Sequence, residues 1–268
     1  RRGGMQTPTA ASSVFAIDNP QSQQIDPGLI SGFPVDFALG KISNSGTNWY
    51  AASRLTGNGY LETNATTAEQ NTSSITFDYN NGWWDNVNNA NFVGWMWKRA
   101  KGYFDVATYT GTGTAGLTVN HSLGVAPEMT WVKRRDSATN WRVNVAALGT
   151  DGQDSPSLRL NLNNAAEDDN GSYFGNNNSG GYAAPTSSVL TLGGHGDVNA
   201  SGGTYIAYLF ATVAGISKVG SFTQSGATNV DCGFTGDTPS LIIYKRTDGG
   251  GNWHIYDSAR GIVAGNDA

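Results

Sequence analysis

The chain is short of the residues on which several protein classes depend. It has one cysteine, Cys232, in 268 residues, which excludes an intrachain disulfide framework and a Cys-based zinc site. Cys232 lies in a segment flanked by the apolar Val230 and Phe234 and is expected to be a small core residue. The formal net charge is −5 and no basic stripe is present, so nucleic acid is not an expected partner. No stretch approaches the roughly 20 apolar residues of a membrane-spanning helix, and no membrane partner is expected. Glutamate is rare, confined to Glu62, Glu69, Glu128 and Glu167, which leaves little material for the paired carboxylates of a glycosidase. His121, His195 and His254 stand apart, with no second His or Cys at ligand spacing. Neither a Gly-x-Ser-x-Gly elbow nor a His-Glu-x-x-His motif occurs. No catalytic, metal or cofactor set is therefore assigned, and the chain reads as non-enzymatic, with a carbohydrate-active enzyme the third and weakest reading.

What is present points to β-structure. The 36 glycines and abundant Asn, Ser and Thr disfavour helix and supply turns, and the 11% of aromatic residues between them suits sheets. The predicted fold class is all-β, with tandem β-sandwich-like modules after an extended N-terminal arm. The first residue is Arg1, without a signal-peptide pattern, so the chain is expected to be part of a longer protein.

Aligning the chain with itself exposes a repeat. Pro127, Lys133 and Trp141 return as Pro239, Lys245 and Trp253, each 112 residues later. An earlier copy has Lys41 and Trp49, each 92 residues before its counterpart. All three carry Lys and, eight residues on, the Trp of an Asn-Trp pair. A second segment repeats independently: Phe92–Trp97 aligns with Tyr205–Phe210, and Gly102–Val106 with Gly215–Val219, both at 113 residues. The expected organisation is an arm over 1–29, repeat 1 over 30–116, repeat 2 over 117–228 and a partial repeat 3 over 229–268.

Each repeat is expected to open with a hairpin, as in Met129–Lys133, a turn at Arg135–Thr139, and Trp141–Val145. Alternate residues of a strand share a face, so Val93, Trp95 and Trp97 form one apolar face, as do Ile206, Tyr208 and Phe210. Both faces are expected to be core, and Trp49, Trp141 and Trp253 are expected to anchor the sheets. Gly111-Thr112-Gly113-Thr114-Ala115-Gly116 has dinucleotide-loop spacing, but a strand-like Leu117-Thr118-Val119 follows where that motif needs a helix. It reads as a turn between repeats. Asp168-Asp169-Asn170-Gly171-Ser172 lacks the spaced acids of a calcium loop and reads as a solvated turn.

Two regions are candidates for recognition. Trp83 and Trp84 are adjacent in an Asn-rich stretch without a counterpart in repeat 2, and could stack on sugar rings or pack against the neighbouring unit or another subunit, the second being favoured. Residues 168–184 form a Gly/Asn/Ser-rich insertion bearing Tyr173, Phe174 and Tyr182, which suits a binding tip.

Several segments carry a family resemblance: Ala126–Lys133, Ala184–Val189, Thr204–Ala211, Ala214–Gly220 and Lys245–Asp248 through Asp257–Gly261. Together they resemble a recurring module of marine tailed-phage virion proteins, often found with laminin-G-like lectin domains. The resemblance implies a virion structural component, in a tail-fibre, tail-associated or capsid-decorating position, made in the host cytoplasm. Its expected partners are other copies of itself and other virion proteins, in a homo-oligomer. The alternative it implies is an adhesin binding host-surface glycan.

Overall fold

A computed structural model of the chain describes residues 4–20, 26–84, 89–149, 156–168, 170–175, 181–227, 229–234 and 238–262. In repeat 1 the strands are β1 (Phe15–Asp18), β2 (Leu29–Ile30), β3 (Phe37–Ile42), β4 (Tyr50–Ser53), β5 (Gly59–Glu62), β6 (Gln70–Asn71), β7 (Gly82–Trp83) and β8 (Phe92–Trp97). Repeat 2 supplies β9 (Phe104–Thr110), β10 (Leu117–Asn120), β11 (Met129–Arg134), β12 (Arg142–Val145), β13 (Ser157–Arg159), β14 (Val189–Leu192), a one-turn helix α1 (Gly196–Asn199) and β15 (Thr204–Phe210). Repeat 3 is the hairpin β16 (Leu241–Tyr244) and β17 (His254–Asp257). The protein is all-β, its strands forming several antiparallel sheets and no barrel.

The repeat is visible in the strand order. The first sheet runs β1-β8-β3-β4-β5-β6 and the second β9-β15-β11-β12-β13, with a separate two-stranded flap in each repeat, β2-β7 and β10-β14. Thus β1 takes the place in sheet 1 that β9 takes in sheet 2. Part of the expected arm is therefore an edge strand: Phe15 and Ile17 pair with Trp97 and Trp95 of β8 and pack against the core. Four residues, even with three apolar side chains, are too short a local signal. The strand exists because β8 offers an open edge about 80 residues away.

Each sheet buries both faces. The inner faces meet in one core containing Phe37, Val93, Trp95 and Trp97 from repeat 1 and Trp131, Val143, Ile206 and Tyr208 from repeat 2. Phe37 bridges them, its ring centroid 4.3 Å from Tyr208 and 5.6 Å from Phe104. The expected core faces of β8 and β15 both lie here, with Phe210 at the margin. The largest core is thus between repeats, and each structural unit is a sheet plus its flap, beginning earlier than the sequence boundaries at 30 and 117 because β1 and β9 open the units. Outer faces are closed by the flaps. In repeat 1, small residues of the sheet receive large ones of the flap: a Cβ on Gly94 would come within 2.6 Å of Leu29, and one on Gly40 within 3.3 Å of the Trp83 ring. Burying such side chains contributes roughly 1.5–3 kcal/mol each.

Repeat 3 lays Leu241, Ile243, Trp253 and Ile255 against the shared core. Its other face carries Tyr244 and Tyr256, exposed by 37% and 47%, with no flap over them among the described residues. The bridge between Ala100 and Phe104 that precedes β9 recurs between Val213 and Ser217. No strand follows among the described residues 218–227, and no counterpart of β8 or β15 lies beside them among the described residues. Cys232 departs from expectation. It is half-buried in an irregular segment outside the described cores, since no sheet forms around it.

Candidate functional site

The Lys and Asn-Trp signature of the repeat is a device for joining one repeat to the next. Within repeat 1, the Asn64 side chain accepts from the Trp49 backbone N–H (3.0 Å) and donates to Asn48 Oδ1 (2.9 Å). In repeat 2, Asn161 does the same to Trp141 (2.9 Å) and Asn140 (3.0 Å). This clamp ties the start of the hairpin's second strand to the segment leaving the third strand. It projects the indole toward the core.

Between repeats the contacts recur one for one. The Trp141 indole N–H donates to the Glu62 carbonyl of repeat 1 (2.8 Å), and the Trp253 indole N–H to the Arg159 carbonyl of repeat 2 (2.9 Å). Glu62 and Arg159 hold equivalent positions, opposite Tyr50 and Arg142 in their sheets. Thr139 N–H donates to Thr66 O (3.0 Å) as Gly251 N–H does to Asn163 O (2.8 Å). Glu69 N–H donates to Arg135 O (2.7 Å) as Ala166 N–H does to Thr247 O (2.8 Å). The same operation therefore carries repeat 1 onto 2 and repeat 2 onto 3, the head-to-tail contact called heterologous. Each of these bonds ends on a backbone carbonyl, which is why the side chains at the turn vary freely.

The recurring lysine serves the same hairpin. Lys41 Nζ donates to the carbonyls of Ser45 and Thr47, Lys245 Nζ to that of Gly251, and Lys133 Nζ reaches across to Thr66 O of repeat 1 (3.1 Å). Burial pushes the Lys133 ammonium down to about 8, with Asp197 opposing that shift. The junction of repeats 1 and 2 also carries a bidentate Arg135–Glu69 pair, both contacts 2.7 Å. Repeat 3 closes back on repeat 1: the buried Asp257 accepts from the Trp95 indole (3.1 Å) and from Arg260 Nε (2.7 Å).

Where the three repeats meet there is a cavity of about 450 Å³. Its floor is one equivalent residue from each repeat, Leu39, Trp131 and Ile243 on β3, β11 and β16. Trp49 and Trp253 form walls, and Asn64, Asn161, Asn163 and Asn252 supply amides at its edge.

The aromatics singled out in sequence lie elsewhere. Trp83 and Phe174 are wholly buried in the outer cores of their own repeats, so neither can meet a ligand in the folded chain, and Trp83 packs within its unit rather than on a neighbouring one. Trp84 adopts a left-handed backbone, φ 69°, and its half-buried ring packs 5.0 Å from both Trp83 and Phe92. Two consecutive indoles thereby reach one core, which regular strand geometry forbids. Tyr173 and Tyr182 are half-buried against the outer core of repeat 2, and the Arg142 guanidinium sits 3.6 Å from the Tyr173 ring centre. The described part of the 168–184 insertion is thus a cover for sheet 2 rather than a free tip.

The remaining motifs are structural. The glycine-rich segment 111–116 is a turn organised by the buried Asn199, whose Oδ1 accepts from Thr112 N–H (2.7 Å) and whose amide donates to Thr114 O (2.7 Å). Asn170 and Gly171 form a left-handed turn. His195 caps α1 by accepting from Asp197 N–H (3.0 Å), and His121 accepts from Leu123 N–H (3.3 Å). Among the described residues no group of three His, Cys, Asp or Glu could hold a metal ion, and no helix is long and apolar enough to cross a membrane.

A family model described as a domain of unknown function, DUF7483, matches residues 21–267, and the chain belongs to that family. No curated protein and no solved structure matches it.

Proposed function

For this member of the DUF7483 family we propose a non-enzymatic structural role, exercised through protein–protein assembly in a virion. The observation that carries it is the recurrence of one head-to-tail contact at both repeat junctions, with three equivalent hydrogen bonds at each. Sequence invested in an iterated contact, anchored on carbonyls and Trp indoles, serves a rigid spacer or shell element. It does not build a reaction centre. The virion setting rests on the resemblance of the repeat segments to tailed-phage modules, as do the proposed partners: copies of the chain and other virion proteins.

The test is electron cryomicroscopy of virions purified from a source that encodes the chain. Density for both sheets and the hairpin in a symmetric layer or fibre is the expected result. Absence of the chain from the purified particle, by mass spectrometry as well as in the map, would overturn the proposal.

A further inference from the structure

We propose that the cavity at the meeting point of the three repeats binds a neutral carbohydrate. This goes beyond the assembly role and does not depend on it. The lining has the two chemistries that a sugar presents. Trp49 and Trp253 offer indole surface to the C–H faces of a pyranose, while the edge is made of side-chain amides, each a donor and an acceptor, as hydroxyl groups require.

Two of the amides are already aimed. Asn64 and Asn161 are held by their clamps on Trp49 and Trp141, so their orientation is fixed before any ligand arrives. The amides of Asn163 and Asn252 are exposed and have no side-chain hydrogen-bond partner among the described residues. In the floor, Trp131 is only 2% exposed and its indole N–H has no protein partner. That N–H is enclosed by the protein, so the floor shapes the cavity and the polar contacts fall to the amides at its edge.

The lining also excludes alternatives. Among the described residues it contains no Asp, Glu, Lys or Arg, and its one titratable side chain is His254, so a charged ligand would lose hydration with at most one imidazole as counter-charge. A purely apolar ligand would leave the amides at the edge without a partner on their cavity side. The volume of about 450 Å³ falls within the usual range of small-ligand sites.

The experiment uses the full chain. Neutral hexose and N-acetylhexosamine oligosaccharides are screened by array and then by calorimetry, beside sialylated and uronic-acid glycans and cyclohexanol as an apolar probe. The expected result is saturable binding of a neutral oligosaccharide, weakened at least tenfold in Asn163→Asp with Asn252→Asp. Both positions are exposed, so the urea midpoint should not move. The proposal is overturned if no neutral oligosaccharide binds at millimolar concentration, if binding survives the double variant, or if only charged glycans or cyclohexanol bind.

Discussion

Repeats 1 and 2 share one frame yet cover the same patch of their outer faces by opposite chemistry. At the β4–β5 end of sheet 1 the outward positions are Tyr50, Ala52 and Tyr60, and Tyr50 packs edge-on to Tyr60 at 5.2 Å and to Trp84 at 5.7 Å. At the equivalent place on sheet 2 stand Arg142, Asn144 and Ser157. Arg142, 2% exposed on its side chain, pairs with Asp197 at 2.8 Å and Glu167 at 3.4 Å beneath the Tyr173 ring. The fold specifies that this patch be covered but leaves the chemistry open. An aromatic cover tolerates loss of one ring by partial collapse. An ionic cover does not, because removing one partner leaves the other charge buried.

That contrast orders the expected effects of substitution. Asp197→Ala should be the most damaging, destabilising the chain by about 3 kcal/mol in urea unfolding, with Glu167 as the remaining partner of Arg142. Adding Arg142→Met should restore much of the loss. A double variant as unstable as Asp197→Ala would show that the ion pair itself, rather than the stranded charge, matters. Tyr50→Ala in repeat 1 should cost less, about 1–2 kcal/mol, since the ring is half-buried and leaves no charge behind. An equal or larger loss there would erase the distinction between the covers.

The dependence of stability on pH separates Lys133 from its counterpart Lys41. Lys133 titrates near 8 when folded and near its ordinary 10.5 when unfolded, because burial disfavours the ammonium. Between those values the unfolded chain holds more protons, so Lys133 makes stability rise with pH from about 8 to 10.5, its destabilising contribution being fully present below 8. Urea midpoints measured across that window should climb in the native chain and flatten in Lys133→Met. Lys41, shifted in the same direction by burial but bound only to its own turn, should change the slope less when replaced by Met.

The parts of the molecule legible in sequence were those repeated at constant spacing. The hairpins, the inward faces of β8 and β15 and the anchoring tryptophans all followed from residue alternation within a strand and a fixed register between copies. The clamp was hidden because its Asn lies 15 residues after Trp49 but 20 after Trp141, so the loop length between them masks the equivalence. Trp83 and Trp84 looked like a loop because Asn and Gly surround them. The left-handed backbone at Trp84 that turns both rings inward leaves no mark in composition. The cavity was beyond reach for a different reason: its floor draws one residue from each of three segments about a hundred positions apart.

By itself, then, the sequence determined that this is a β-protein made of repeats, and which face of each main strand is apolar. Local propensity and alternation act over a few residues, and copying preserves them. Tertiary structure alone decided that repeats pool their inner faces into one core, that Phe15–Asp18 joins a sheet, and that three central strands leave a cavity between them. Those outcomes depend on which partner edge or face is available in space, and a strand becomes a strand only when its backbone donors and acceptors find such a partner.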